Sequence, residues 1–195
     1  GTGPRRLYER AVREGLNSTA FLGRAMVATG NWVTNEYRPG FDIAFPLTSE
    51  RRYDDQLPGL RDVPAARRKY FLSFKGSIYF AQDDKRARLL GLHDPMRGIV
   101  VLGTCKLPND WHTHKAACEA AANASEAEPY GYEELMNSTF CLVPGGKNPS
   151  TFRLNEVMSI GCIPVFVGDD YVKPFPSLIS WPDIAFEFCS YCLDA

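Results

Sequence analysis

Short apolar runs separated by polar, glycine-containing stretches set the rhythm of the second half of the chain. Tyr70-Phe-Leu-Ser-Phe74, Ile99-Val-Val-Leu102, Thr139-Phe-Cys-Leu-Val143 and Cys162–Val167 have the length and β-rich composition of strands. Between them, Asp83–Leu92 and Thr151–Ile160 read as helices and Tyr132–Met136 as a single helical turn. Such alternation, with strands that are apolar throughout rather than at every second position, predicts an α/β fold whose parallel sheet is covered on both faces. Thr139–Val167 has the length and order of one βαβ unit. Upstream, Leu7–Val27 carries helical spacing broken by Gly15 and Gly23. Arg38-Pro-Gly40 marks a turn, Phe41–Leu47 a short strand, and Thr48–Pro64 a polar surface loop or hinge.

The chain has 195 residues, enough for one domain or one large half of a two-lobed protein. Its 22 basic and 23 acidic residues leave a net charge of −1 with no block of like sign, which argues against a nucleic-acid partner. A hydrophobic fraction of 45% and aromatics at 12% exclude a disordered chain. The longest apolar run, Ile160–Gly168, is interrupted by Pro164 and falls short of the ~18–20 residues a spanning helix needs. Gly1–Gly15 is polar and charged, unlike a signal peptide, so any membrane anchor would have to lie outside these residues. Six cysteines and three sequons, at Asn17, Asn123 and Asn137, fit an oxidising secretory compartment better than the cytosol. Asn148-Pro-Ser150 is blocked by its proline, and six reduced core cysteines are the alternative.

The stretch Leu142–Glu156 carries the most chemistry. A strand enters a glycine-rich loop, Pro144-Gly-Gly-Lys-Asn-Pro149, which opens a helix with Ser150 or Thr151 at its cap. A helix start offers free N–H groups and the positive dipole end to an anion. Arg153 adds a donor suited to bidentate phosphate contact, and Glu156, three residues on, shares its face. A carboxylate there can accept hydrogen bonds from a ribose diol. The loop has neither the Walker nor the Gly-x-Gly-x-x-Gly pattern, and on spacing alone a capping loop with a surface Arg153–Glu156 pair is the better account. Lys75 directly follows the strand Tyr70–Phe74, with Tyr79, Lys85 and Arg86 close behind. Loops at the carboxyl ends of parallel strands are where α/β sheets bind ligands, although a solvated basic patch reads the same way. Cys105, His112, His114 and Cys118 match no standard zinc spacing. The doublets at Asp54, Asp83 and Asp169 lack the spaced Asp-x-Asp form, and Asp83 and Asp169 fit helix or turn caps.

Several of these segments together resemble one family. Tyr37-Arg-Pro-Gly-Phe-Asp-Ile43, Arg68–Gly76, Thr104-Cys-Lys106, Asp110-Trp111 with His114-Lys115, and Asn137–Gly145 resemble the exostosins, glycosyltransferase family 47. So do Ser150-Thr-Phe-Arg-Leu-Asn-Glu156, Gly161-Cys-Ile-Pro-Val165, Pro174-Phe175 and Trp181. The pattern is nearest to the animal heparan sulfate polymerases. The resemblance implies a GT-B glycosyltransferase with two Rossmann-like lobes, this chain being the C-terminal lobe (61–195) behind a lead-in and inter-lobe linker (1–60). It implies an inverting transferase that moves a sugar, glucuronic acid among the candidates, from a UDP-sugar to a growing heparan-sulfate-type or other glycan. A non-catalytic partner subunit of such an enzyme is the rival reading. Residues matching the UDP-sugar surroundings are Lys75, Tyr79, Arg86, Tyr132, Arg153 and Glu156, joined by Ser150 and Thr151 at the helix start. The resemblance also pairs Cys105 with Cys118 and Cys141 with Cys162. It implies a Golgi or endoplasmic reticulum lumen location through a type II anchor, association with a second exostosin-type chain, and no tightly bound cofactor or essential metal. The family's Pro-Arg-Gly loop is Pro144-Gly145-Gly146 here, and Ser77 and Ile78 stand where the polymerases carry basic residues. Cys189-Ser-Tyr-Cys192 lies outside the pattern, as a disulfide or a redox motif.

Overall fold

The computed structural model describes residues 25–49, 53–78, 85–105, 130–146, 148–190 and 192. Two short strands, β1 (Ala28–Thr29) and β2 (Ile43–Ala44), pair in parallel ahead of a five-stranded sheet. That sheet contains β3 (Tyr70–Ile78), β4 (Ile99–Cys105), β5 (Ser138–Pro144), β6 (Ile163–Val167) and β7 (Phe186–Phe188). All its strands run parallel in the order β4-β3-β5-β6-β7. The α/β parallel sheet expected from the apolar runs is present. Helices α1 (Tyr53–Gln56), α2 (Lys85–Leu89) and α3 (Arg153–Ser159) flank it.

Alternation along β5 divides the core. Cys141 and Val143 face α3 in a cluster with Leu154, Val157 and Phe166, while Leu142 faces the opposite side with Phe74, Leu89 and Val165. Both faces of the strand are therefore apolar, which is why it reads as a continuous run rather than an alternating one. Cys141 and Cys162 form a buried disulfide with Cα atoms 6.0 Å apart, tying β5 to the start of β6 across α3. Cys189 and Cys192 are also bonded, Cα to Cα 5.4 Å, so the Cys-x-x-Cys after β7 is a disulfide. The expected Cys105–Cys118 pair lies outside the described residues, as do Tyr79, Asn17, Asn123 and most of the Leu7–Val27 stretch.

Several boundaries differ from the sequence expectation. Lys75 and Gly76, expected in a loop, lie inside β3, because pairing with β4 continues to Ile78 opposite Cys105. The Phe74 ring folds over Gly76 where a Cβ would sit only 2.7 Å away, so glycine at that strand position is filled by its neighbour's side chain. Helix α3 starts at Arg153, two residues later than expected. The Asp83–Leu92 helix is a short α2 continued by a 3₁₀ turn over Leu90–Leu92, and Tyr132–Met136 contributes a 3₁₀ turn at Glu134–Met136. Strand β7 was not foreseen.

The segment 25–49 docks onto the residues that follow β6, 170–175. Val33 bridges Tyr171, the Phe175 N–H donates to the Ala44 carbonyl at 2.8 Å, and Trp32, Ala44 and Val172 form a small core. Inside it, the Asp42 carboxylate receives Arg38 Nε at 2.7 Å and the Val27 N–H at 3.0 Å. Asp169, expected to cap a local helix or turn, instead accepts the N–H of Ser190, 21 positions away, at 3.1 Å and so ties the segment after β7 to the end of β6.

Candidate functional site

The chain first lays down β3, steps outward to β4, then returns to the other side of β3 as β5. The reversal leaves a crevice at the carboxyl ends of β3 and β5, the position at which open α/β sheets bind ligands. A cavity of about 780 Å³ occupies it. Its wall comes from β3 (Lys75, Gly76, Ser77), α2 (Arg86), α3 with its entry (Thr151, Phe152, Arg153, Glu156), Tyr132, and the connector residues Thr48 and Ser49.

Arg153 and Glu156 sit one helical turn apart on α3 and are both buried, 4% and 7% exposed. The surface ion pair that their spacing allowed is therefore not formed. Arg153 Nη1 lies 3.9 Å from Met136 Sδ, and its guanidinium carbon is 5.0 Å from the centroid of the Tyr132 ring. Arg153 Nε and Nη2 are buried without any hydrogen-bond partner. The Glu156 carboxylate, in contrast, is satisfied on both oxygens. Oε2 accepts the Tyr132 hydroxyl at 2.5 Å and Oε1 accepts the Ser49 hydroxyl at 2.8 Å. Burial pushes the Tyr132 phenol up to about 12; the Arg153 charge opposes this shift and the Glu156 carboxylate adds to it. At neutral pH the phenol is protonated and donates.

The remaining expected residues divide into those spent on the scaffold and those on the rim. Arg86 Nε donates to the Gly145 carbonyl and Nη1 to the Ser77 carbonyl, each at 3.0 Å, stapling the ends of β3 and β5 together. Gly146 leaves room for that staple, since a Cβ there would come within 3.1 Å of Arg86 Nη2. Lys75 Nζ donates to the Tyr130 carbonyl at 2.9 Å while its side chain lines the cavity. Neither Ser150 nor Thr151 is the cap residue, a position taken by Phe152. Thr151 Oγ1 nevertheless accepts the Arg153 N–H at 3.3 Å, while buried Ser150 turns away to donate to Asn31 Oδ1. Asn137 lies at the opposite end of β5, half-buried, its Oδ1 accepting the Lys69 N–H at 3.2 Å. Among the described residues no cluster of three His, Cys, Asp or Glu side chains could hold a metal ion.

Ser49 is the residue that sequence reasoning missed. It reaches Glu156 across 107 positions from within a polar stretch, and no local pattern marks it. Phe152 follows both cap candidates and offers no polar group to a sequence reading, yet it is 55% exposed on the cavity wall.

The Exostosin GT47 domain model matches residues 12–187. Exostosin-1c of Danio rerio is 38% identical over 175 residues, covering 85% of this chain and 23% of that protein. Exostosin-1 of Bos taurus is 35% identical over 175 residues (84% and 22%), and that of Mus musculus 34% over the same span and shares. The chain thus spans less than a quarter of the length of the curated relatives it matches. With the domain match running from residue 12 into β7, the chain belongs to the exostosin GT47 family.

Proposed function

We propose that this chain is the donor-binding lobe of an inverting GT-B glycosyltransferase that takes a UDP-sugar and extends a glycan of the heparan sulfate type. On this reading residues 61–195 form the nucleotide-sugar lobe and 1–60 the lead-in and inter-lobe linker. The observation that carries it is Arg153. A guanidinium buried with two nitrogens unsatisfied costs more than an exposed one, and a doubly charged diphosphate in the adjoining cavity removes that cost through bidentate bonds. The cavity volume lies within the roughly 300–1,000 Å³ of small-molecule sites. Glu156, oriented by two hydroxyls, suits a ribose diol one turn along α3. In-line displacement places negative charge on the departing diphosphate, where Arg153 stabilises it. The Cys141–Cys162 and Cys189–Cys192 disulfides support a secretory-lumen location.

Calorimetric titration with UDP tests the site. Micromolar binding is expected, weakened by about 1.5–3 kcal/mol in Arg153→Ala, the scale of a hydrogen bond to a charged group. Unchanged affinity in that variant would take Arg153 out of the donor site.

One observation favours the non-catalytic partner subunit instead. Of the cavity's other cations, Lys75 and Arg86 bond backbone carbonyls, which commits N–H donors to the scaffold that a leaving group would otherwise receive. UDP binding without sugar transfer, measured with UDP-sugar and glycan acceptor in the presence of the second exostosin-type chain, would select that reading.

A further inference from the structure

An arginine and a glutamate three apart on a buried helix face ordinarily pair, because that spacing brings their side chains together and low dielectric strengthens the attraction. Here they do not. Arg153 keeps two unpartnered nitrogens while each oxygen of the Glu156 carboxylate accepts one neutral hydroxyl and keeps further lone-pair capacity. One side chain touches both: the Tyr132 ring lies against the guanidinium and its hydroxyl holds Glu156 Oε2. We infer that Tyr132 is a positioning residue that keeps Arg153 and Glu156 from neutralising each other, so that the guanidinium stays open to a diphosphate and the carboxylate to a ribose diol. This inference rests on the donor-site reading above.

Three features place Tyr132 in this role. Its origin is separate from α3, so the arrangement is not a by-product of helix geometry. It enters a 3₁₀ turn pinned by Leu135 and Met136, both fully buried, and by the Leu135 N–H on the Gly131 carbonyl at 3.2 Å. Its hydroxyl is protonated at neutral pH, as a phenol ordinarily is, and donates to Glu156 Oε2 at 2.5 Å. Ser49 completes the device by occupying the second carboxylate oxygen. A ligand matched to the result carries a dianionic diphosphate at one end and a vicinal diol at the other, the chemistry of a nucleoside diphosphate. The charges are separated before that ligand arrives, so binding pays no reorganisation to break an ion pair.

The test uses the whole chain, titrated calorimetrically with UDP and with inorganic pyrophosphate, each variant checked for folding by circular dichroism. In Tyr132→Leu, Glu156 is free to pair with Arg153, and pyrophosphate affinity falls about tenfold or more, the loss of one charge-assisted bond. Adding Glu156→Gln to that variant removes the competing charge and raises pyrophosphate affinity back to within about threefold of the unmodified chain. Recovery on deleting a second site residue is an outcome that a merely structural tyrosine does not give. Tyr132→Phe keeps the ring against Arg153 and loses only the hydroxyl: UDP affinity falls about tenfold while pyrophosphate affinity changes less than about twofold. If Tyr132→Leu does not fold, the Tyr132→Phe comparison decides, and equal losses for the two ligands overturn the inference. Unmodified chain that binds UDP, with Tyr132→Leu binding pyrophosphate equally well or not recovered by Glu156→Gln, overturns the positioning role and leaves the donor site standing. Binding of neither ligand by the unmodified chain overturns both.

Discussion

Arg153 sets function against stability at a single position. Its guanidinium is buried with Nε and Nη2 unsatisfied, and the groups around it that could pay back are a thioether and an aromatic face. Buried charges carry a desolvation penalty large enough that replacing even a buried ion pair by apolar side chains of similar volume is often neutral or stabilising by about 1–4 kcal/mol, and Arg153 lacks an ion-pair partner to offset that penalty. Arg153→Met is therefore expected to raise the midpoint of urea unfolding, by about 1–3 kcal/mol in stability, while abolishing UDP binding. A variant that is less stable than the parent would show that the contacts to Tyr132 and Met136 already compensate the charge. The sequence marked Arg153 and Glu156 because both follow a glycine-rich loop at a one-turn spacing. It could not mark their burial or the missing ion pair, since these depend on Tyr132 and Ser49, which arrive from two other segments.

At the scale of elements, legibility followed burial. The strands β3 to β6 carry apolar runs, so their cores were readable, and the ends of β3, β4 and β5 moved outward once neighbours supplied hydrogen bonds while β6 starts one residue later than expected. Strand β7 is Phe186-Glu-Phe188, three exposed residues at the sheet edge, too short for any periodicity to register. Lys75-Gly76 looked like a strand terminator, yet the lysine lines the crevice and the glycine accommodates Phe74. The two disulfides make a quantitative contrast at this scale. Cys141–Cys162 closes a loop with a sequence separation of 21 and Cys189–Cys192 one of 3. Loop-closure entropy then assigns about 3 kcal/mol to the first and about 2 kcal/mol to the second. Paired alanine substitutions, each measured by denaturant unfolding, are expected to fall in that order. Cys141→Ala with Cys162→Ala also loses two side chains from the α3 face of the core, which widens the gap. A larger loss on removing Cys189–Cys192 would mean that β7 and its anchor at Asp169 hold more of the fold than their exposure indicates.

For the whole molecule, the order β4-β3-β5-β6-β7 decides where chemistry can occur, because among the described strands only the neighbours β3 and β5 have their connections leaving in opposite directions. Alternating strands and helices in the sequence implied a parallel sheet, but strand order is invisible to periodicity and so was the address of the crevice. The same topology leaves α2 over β3 and β4 and nothing described over the β5–β7 half of that face. There a second cavity of about 370 Å³ is lined by Phe71, Leu72, Phe140, Leu142, Phe186 and Phe188 among others, all apolar. Phe71, Phe186 and Phe188 are each more than half exposed, and edge-to-face contacts of 5.2 and 5.6 Å link Phe71 to Phe140 and Phe140 to Phe186. Parallel sheets are ordinarily covered on both faces, so a contiguous aromatic patch of this kind makes the folded chain adhesive. The native chain is expected to enhance the fluorescence of anilinonaphthalene sulfonate. Phe186→Thr with Phe188→Thr changes the two residues of β7 that point to this face and spares Glu187, which points to the other and pairs with Lys173. The double variant should lower that fluorescence several-fold and raise the concentration at which the chain stays monomeric. UDP affinity should not move, because the patch and the crevice share no lining residue. If the dye signal persists unchanged, the apolar surface that matters lies elsewhere on the chain, and the β5–β7 face is covered in solution.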